Sequence, residues 1–129
     1  MHRPLSGAGG TVSVRRSLAA EPASVVKARR LVALVGELPA RACRDAQLVV
    51  SELVTNALRH ADVNRDDVIH VTVTRLRTRL RIDVADRHGA WAGSQRDLAR
   101  GAPLGPRIVT GVTAHWHASG GVVTAWIVM

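Results

Sequence analysis

The segment Val49-Val50-Ser51-Glu52-Leu53-Val54-Thr55-Asn56-Ala57-Leu58-Arg59-His60-Ala61 decides how this chain is read. Its apolar residues recur at helical spacing, and the pattern extends back to about residue 42. Ala46, Val49, Val50, Leu53, Val54, Ala57 and Leu58 share one broad arc of the helix. Arg44, Asp45, Ser51, Glu52, Thr55 and Arg59 take the other side, with Leu48 among them. So wide an apolar arc predicts a helix laid against a sheet. Glu52 and Asn56 are four residues apart, about 40° around the helix axis, so both side chains can reach one ligand. A carboxylate that takes a proton, beside an amide oxygen that binds a hard cation, suits a magnesium-nucleotide site. Taken alone, the pair equally suits the solvated edge of an ordinary amphipathic helix.

Working outward, the preceding segment gives a second helix. Glu21-Pro22-Ala23-Ser24 has the look of a helix start, with proline tolerated in the first turn. Val25, Ala28, Leu31, Val32 and Val35 then keep helical spacing to about residue 38, where Pro39 ends it. Upstream, Val12 and Val14 alternate within residues 11–18, a short edge strand ending in arginines. Residues 1–10 contain Gly and Pro without periodicity and are expected to form a disordered tail, leaving 11–129 as one domain.

Downstream the period switches from helix to strand. Ile69, Val71 and Val73 alternate in 68–75, and Leu80, Ile82 and Val84 alternate in 80–85, with a turn near Arg77-Thr78-Arg79. Arg75, Arg77, Arg79 and Arg81 occupy alternate positions and are expected on a solvated outer face. Residues 86–105 hold Gly89, Gly93, Gly101, Pro103 and Gly105 with no periodicity, a long connection of the functional kind. A short helix over 106–112 and a closing hairpin of 113–117 with 122–129 complete the chain. The predicted fold class is α+β: a two-layer α/β sandwich with a mixed, mostly antiparallel sheet and helices on one face.

Composition limits the function. The chain has 129 residues, 47% of them hydrophobic, enough for one domain with one core. Phe and Tyr are absent, so Trp116 and Trp126 are expected to supply core bulk. Residues 31–35 form the longest apolar run in a helical pattern, too short for a membrane, and no secretory signal follows Met1. A soluble cytoplasmic protein is expected, in keeping with the lone Cys43, read as a small core residue. The net charge is +8, and Lys27 is the one lysine among 18 basic residues. The arginines are spread along the chain without a nucleic-acid motif or an aromatic platform, so charge alone does not make this a nucleic-acid binder. His115 and His117 share one strand face but lack a third ligand at diagnostic spacing, so they are read as structural or solvated.

With these pieces in order, the chain resembles the histidine-kinase-like (GHKL) ATPases, and within them the bacterial single-domain anti-sigma-factor serine kinases. The segment from Ser51 to Ala61 is similar to that family's N-box nearly residue for residue. Leu80-Arg81-Ile82-Asp83-Val84-Ala85-Asp86, Arg107-Ile108-Val109 and the final Gly120-Gly121-Val122-Val123-Thr124-Ala125-Trp126 follow in the family's order. The resemblance covers residues 12–129 and implies ATP and Mg2+ as cofactors. It implies Glu52 as the general base and Asn56 as the metal ligand. It also implies that Asp86 accepts a hydrogen bond from the adenine amino group, with Gly89, Gly101, Leu104 and Gly105 around the nucleotide. The implied activity is serine/threonine phosphorylation of an anti-anti-sigma-like partner, with a sigma factor as a further partner and a homodimer as the family's common assembly. Two departures stand out: Arg87-His88 precede Gly89 where a small residue is usual, and Pro103 replaces an expected glycine. Proline removes a donor and fixes φ. They motivate an alternative, a non-catalytic module of the same fold that sequesters a sigma factor or other regulator.

Overall fold

Alternation builds the sheet. In a computed structural model, which describes residues 11–60, 67–86, 115–119 and 122–129, strand β2 (Val68–Arg75) turns Ile69, Val71 and Val73 to the core, each fully buried. Strand β3 (Arg79–Asp86) does the same with Leu80, Ile82 and Val84, and the two pair antiparallel with Val71 opposite Val84. A backbone bond from Leu76 N–H to Arg79 O, 2.8 Å, closes the turn between them. Strands β1 (Val12–Ala19), β4 (His115–Ser119) and β5 (Val122–Val128) complete five strands in the order β1-β2-β3-β5-β4. Every described pairing is antiparallel.

The helices cover one face. Helix α1 (Ala23–Leu31) starts after Pro22 and buries Ser24, Ala28 and Leu31; the Ser24 hydroxyl donates to the Ala19 carbonyl, tying the helix start to the end of β1. Rather than running on to residue 38, the chain tightens into a 3₁₀ turn at Val32–Val35 and leaves it through Gly36, whose φ of 101° lies where side-chain-bearing residues rarely go. Val32 and Val35 still reach the core through that turn. Helix α2 (Ala40–His60) begins slightly earlier than its pattern predicts and packs against α1, β3 and β5. Its Ala46, Val49, Val50, Leu53, Val54 and Ala57 are wholly buried, as the broad apolar arc predicts. The result is the predicted α+β sandwich, with the core between helix layer and sheet.

Two expectations about faces are corrected. Register places Trp126 opposite Arg81 and Thr124 opposite Asp83, while Ala125 and Ile127 carry the buried face of β5. Trp126 is thus on the outer face, half-buried, with the Arg79 and Arg81 guanidiniums 4.8 and 5.3 Å from its ring centre. Trp116, one strand over, does pack against the core. Arg75 likewise leaves the expected arginine row: it shares the core-side parity of Val73, and its guanidinium reaches the Val35 carbonyl at 3.5 Å. Four residues, an even number, lie between the paired Arg75 and Leu80, so the core-facing positions switch from odd to even across the turn and Arg75 does not share a face with Arg79. Cys43 is half-buried against the core, as read. The tail 1–10, the 106–112 helix and residues 113–114 of the closing hairpin lie outside the described residues.

Candidate functional site

Glu52 and Asn56 stand where the helix layer meets its polar edge. Burial of Leu53 and Ala57 fixes the rotation of α2, and that rotation leaves Asn56 at 3% exposure and Glu52 half-exposed. The Asn56 side chain is not free to turn: its Nδ2 donates to the Glu52 backbone carbonyl at 2.9 Å. The bond occupies the amide nitrogen and does not involve Oδ1. Among the described residues no donor reaches Oδ1, and nothing pairs with the Glu52 carboxylate. An amide oxygen in this position has the chemistry to accept a hydrogen bond from a bound group or to coordinate a hard cation. Ser51 behaves differently, returning its hydroxyl to the Gln47 carbonyl at 2.8 Å as an ordinary helix-face serine.

Asp86 closes β3 opposite Ile69 at the start of β2. Residues 61–66 alone separate the end of α2 from that region, so the topology brings the last turns of the N-box helix and the end of β3 to one end of the sheet. The Asp86 side chain, with Gly89, Gly101, Leu104 and Gly105, lies outside the described residues, as do Arg87, His88, Pro103 and the candidate phosphate ligands Arg96, Arg100 and Arg107. Of the predicted site, the described structure therefore gives Glu52, Asn56 and the backbone position of Asp86.

On the outer face of the sheet no metal cluster occurs among the described residues. His115 and His117 do share a face, with ring centres 5.6 Å apart, but no group of three metal-ligating side chains occurs among the described residues. Beside them Asp83 accepts from Arg81 Nε at 3.0 Å and from the Thr124 hydroxyl at 2.6 Å, a closed structural network. Among the described residues no helix is long and apolar enough to cross a membrane.

Comparison with known proteins places the family and the fold. Residues 18–113 match the family model for the histidine kinase-like ATPase domain. That span includes α1, α2, β2 and β3, and the chain belongs to this family of ATP-binding domains. Among solved structures, it is similar to a chain comprising the RsbU and RsbW domains of Rv1364c from Mycobacterium tuberculosis, at TM-score 0.59 and 23% identity. The match covers 90% of this chain and 31% of that one, so the present chain spans about a third of that protein's solved length. At that identity the likeness is one of fold. No curated protein sequence matches this chain significantly.

Proposed function

We propose that this domain is an anti-sigma-factor-type serine/threonine kinase, which uses Mg-ATP to phosphorylate a hydroxyl on an anti-anti-sigma-like protein. The observation that carries the reading is the Asn56 carboxamide, buried and pinned by its own Nδ2, one turn from Glu52, whose carboxylate has no partner among the described residues. It stands in a member of an ATP-binding family. The RsbW domain named in the solved relative supports the anti-sigma direction.

In this reading Asn56 Oδ1 helps hold magnesium, which when bound supplies charge neutralisation along the phosphates. Glu52 accepts the proton of the acceptor hydroxyl as its oxygen bonds to the γ-phosphorus; the bond to the β–γ bridging oxygen breaks and ADP departs. Asp86 accepts a hydrogen bond from the adenine amino group, which favours adenine over guanine. Gly89, Gly101, Leu104 and Gly105 line the nucleotide, Gly105 letting backbone N–H groups approach phosphate oxygens. The partners are an anti-anti-sigma-like protein and a sigma factor, with a homodimer as the working assembly and the cytoplasm as the compartment.

Pro103 and Arg87-His88 favour a second reading, in which phosphate grip is lost and the module acts by sequestration. One experiment separates the two. Incubation with labelled ATP, Mg2+ and a co-purifying partner gives phosphoserine or phosphothreonine that disappears in Glu52→Gln if the kinase reading holds. Absence of ATP binding at millimolar nucleotide would leave sequestration.

A further inference from the structure

The solvent side of the helix layer carries a groove that the nucleotide site does not use. Val26, Arg29, Arg30 and Ala33, spaced i, i+3, i+4 and i+7, line it from α1 and the 3₁₀ turn. Arg44, Gln47, Leu48 and Ser51 repeat the same spacing on α2. That spacing sets each group along one helix face, so each face forms a ridge, and a trough lies between them where the two linings share Arg29 and Gln47. Two cavities of about 350 and 330 Å3 occupy the trough and share Arg29 and Gln47.

The chemistry of the trough is uneven in a telling way. Val26 and Leu48 are 49% and 40% exposed, apolar side chains set in water. Arg29, Arg30 and Arg44 have no carboxylate partner among the described residues, and no acidic residue lines either cavity. Of the other cations on the same two helices, Lys27 faces Glu21 and Arg41 faces Asp45, while Arg59, near the far end of α2, likewise has no carboxylate partner among the described residues. Beside the exposed Val26 and Leu48, the groove thus carries three arginines with no carboxylate partner among the described residues.

We propose that this groove docks an acidic amphipathic helix of a partner protein. The paired ridges suit a third helix, whose apolar stripe would cover Val26 and Leu48, while its flanking carboxylates would meet Arg29, Arg30 and Arg44. The inference needs no nucleotide and does not rest on the roles of Glu52 and Asn56.

The test uses the full chain and a labelled synthetic peptide of about 18 residues, or five helical turns, with Leu at i, i+3, i+4 and i+7 and Glu and Gln elsewhere. Two controls replace Glu by Lys or place Pro at the centre. Fluorescence anisotropy should show binding of the acidic peptide, weakened at least about tenfold in both controls and in Arg29→Glu/Leu48→Glu, and weakened by added salt. Both substituted residues are at the surface, and an unchanged circular dichroism spectrum confirms that the variant folds. The proposal fails if the acidic peptide does not bind at millimolar concentration, binds no better than the lysine peptide, or binds the variant equally well. It also fails if sedimentation without peptide shows a dimer that Leu48→Glu dissociates, since a second copy would then fill the groove.

Discussion

The Asn56 amide nitrogen is bonded to the Glu52 backbone carbonyl, 2.9 Å away, so one candidate site residue is positioned by the main chain of the other. In the proposed kinase the two side chains would have separable roles. Asn56→Ala removes Oδ1 and is expected to weaken Mg-ATP binding at least about tenfold, whereas Glu52→Gln keeps affinity within about threefold and lowers phosphoryl transfer about 10²–10⁴-fold. Calorimetric titration with and without Mg2+, paired with single-turnover transfer, checks both. Equal loss of affinity in the two variants would reject the division of labour.

Gly36 is expected to resist substitution for its backbone rather than its neighbours. At φ 101° and ψ −173°, alanine should cost about 1–3 kcal/mol. An added Cβ would also come within 2.9 Å of the Arg75 guanidinium, but that is the far end of a flexible side chain. Urea unfolding of Gly36→Ala and of Gly36→Ala/Arg75→Ala separates the causes. Recovery in the double variant would show that contact, not φ, sets the cost.

Leu48 and Leu53, five residues apart on α2, should differ sharply when truncated. Leu53 is fully buried against the sheet, and Leu53→Ala is expected to cost about 2–5 kcal/mol. Leu48→Ala should stay within about 0.5 kcal/mol, since its side chain is already wet. Denaturant midpoints at constant slope decide; a large loss at Leu48 would contradict its exposed placement.

Trp126 provides a reporter for the outer face. Arg79→Gln should lower stability by about 0.5–1 kcal/mol through loss of its ring contact. Arg81→Gln should cost more, because Arg81 also bonds Asp83. Thermal unfolding of each variant and of the pair measures this, and identical losses would argue that the Asp83 bond contributes nothing.

The sequence carries the fold where one period persists and loses it where local chemistry intervenes. Val71, Val73, Ile82 and Val84 alternate cleanly, so β2 and β3 are legible to within a residue. The end of α1 is not, because Leu31, Val32 and Val35 suit a 3₁₀ turn and an α-helix equally; Gly36 is the signal that separates them. Trp126 misleads because size suggests the core, while parity with Thr124 puts it outside. At the site, the residue types of Glu52 and Asn56 are readable, but the bond that orients Asn56 requires the helix itself. Leu48, apolar within a polar arc, is the one sequence signal of the α1–α2 groove.

Strand β1 precedes both helices yet pairs with β2, so that Ser13 and Thr74, 61 residues apart, meet through their hydroxyls at 3.1 Å. Compared with the tight β2–β3 turn, a closure of that length costs about 2 kcal/mol more in chain entropy. Folding should therefore start at the β2–β3 hairpin, with β1 joining once α1 and α2 have shortened the path. Pulse-labelled hydrogen exchange would then protect the amides of Val71 and Val84 before those of Val14; simultaneous protection would oppose this order. Until it joins, β1 would be an open edge, and Arg15 and Arg16, both exposed on that strand, would discourage other chains from pairing with it in the interval.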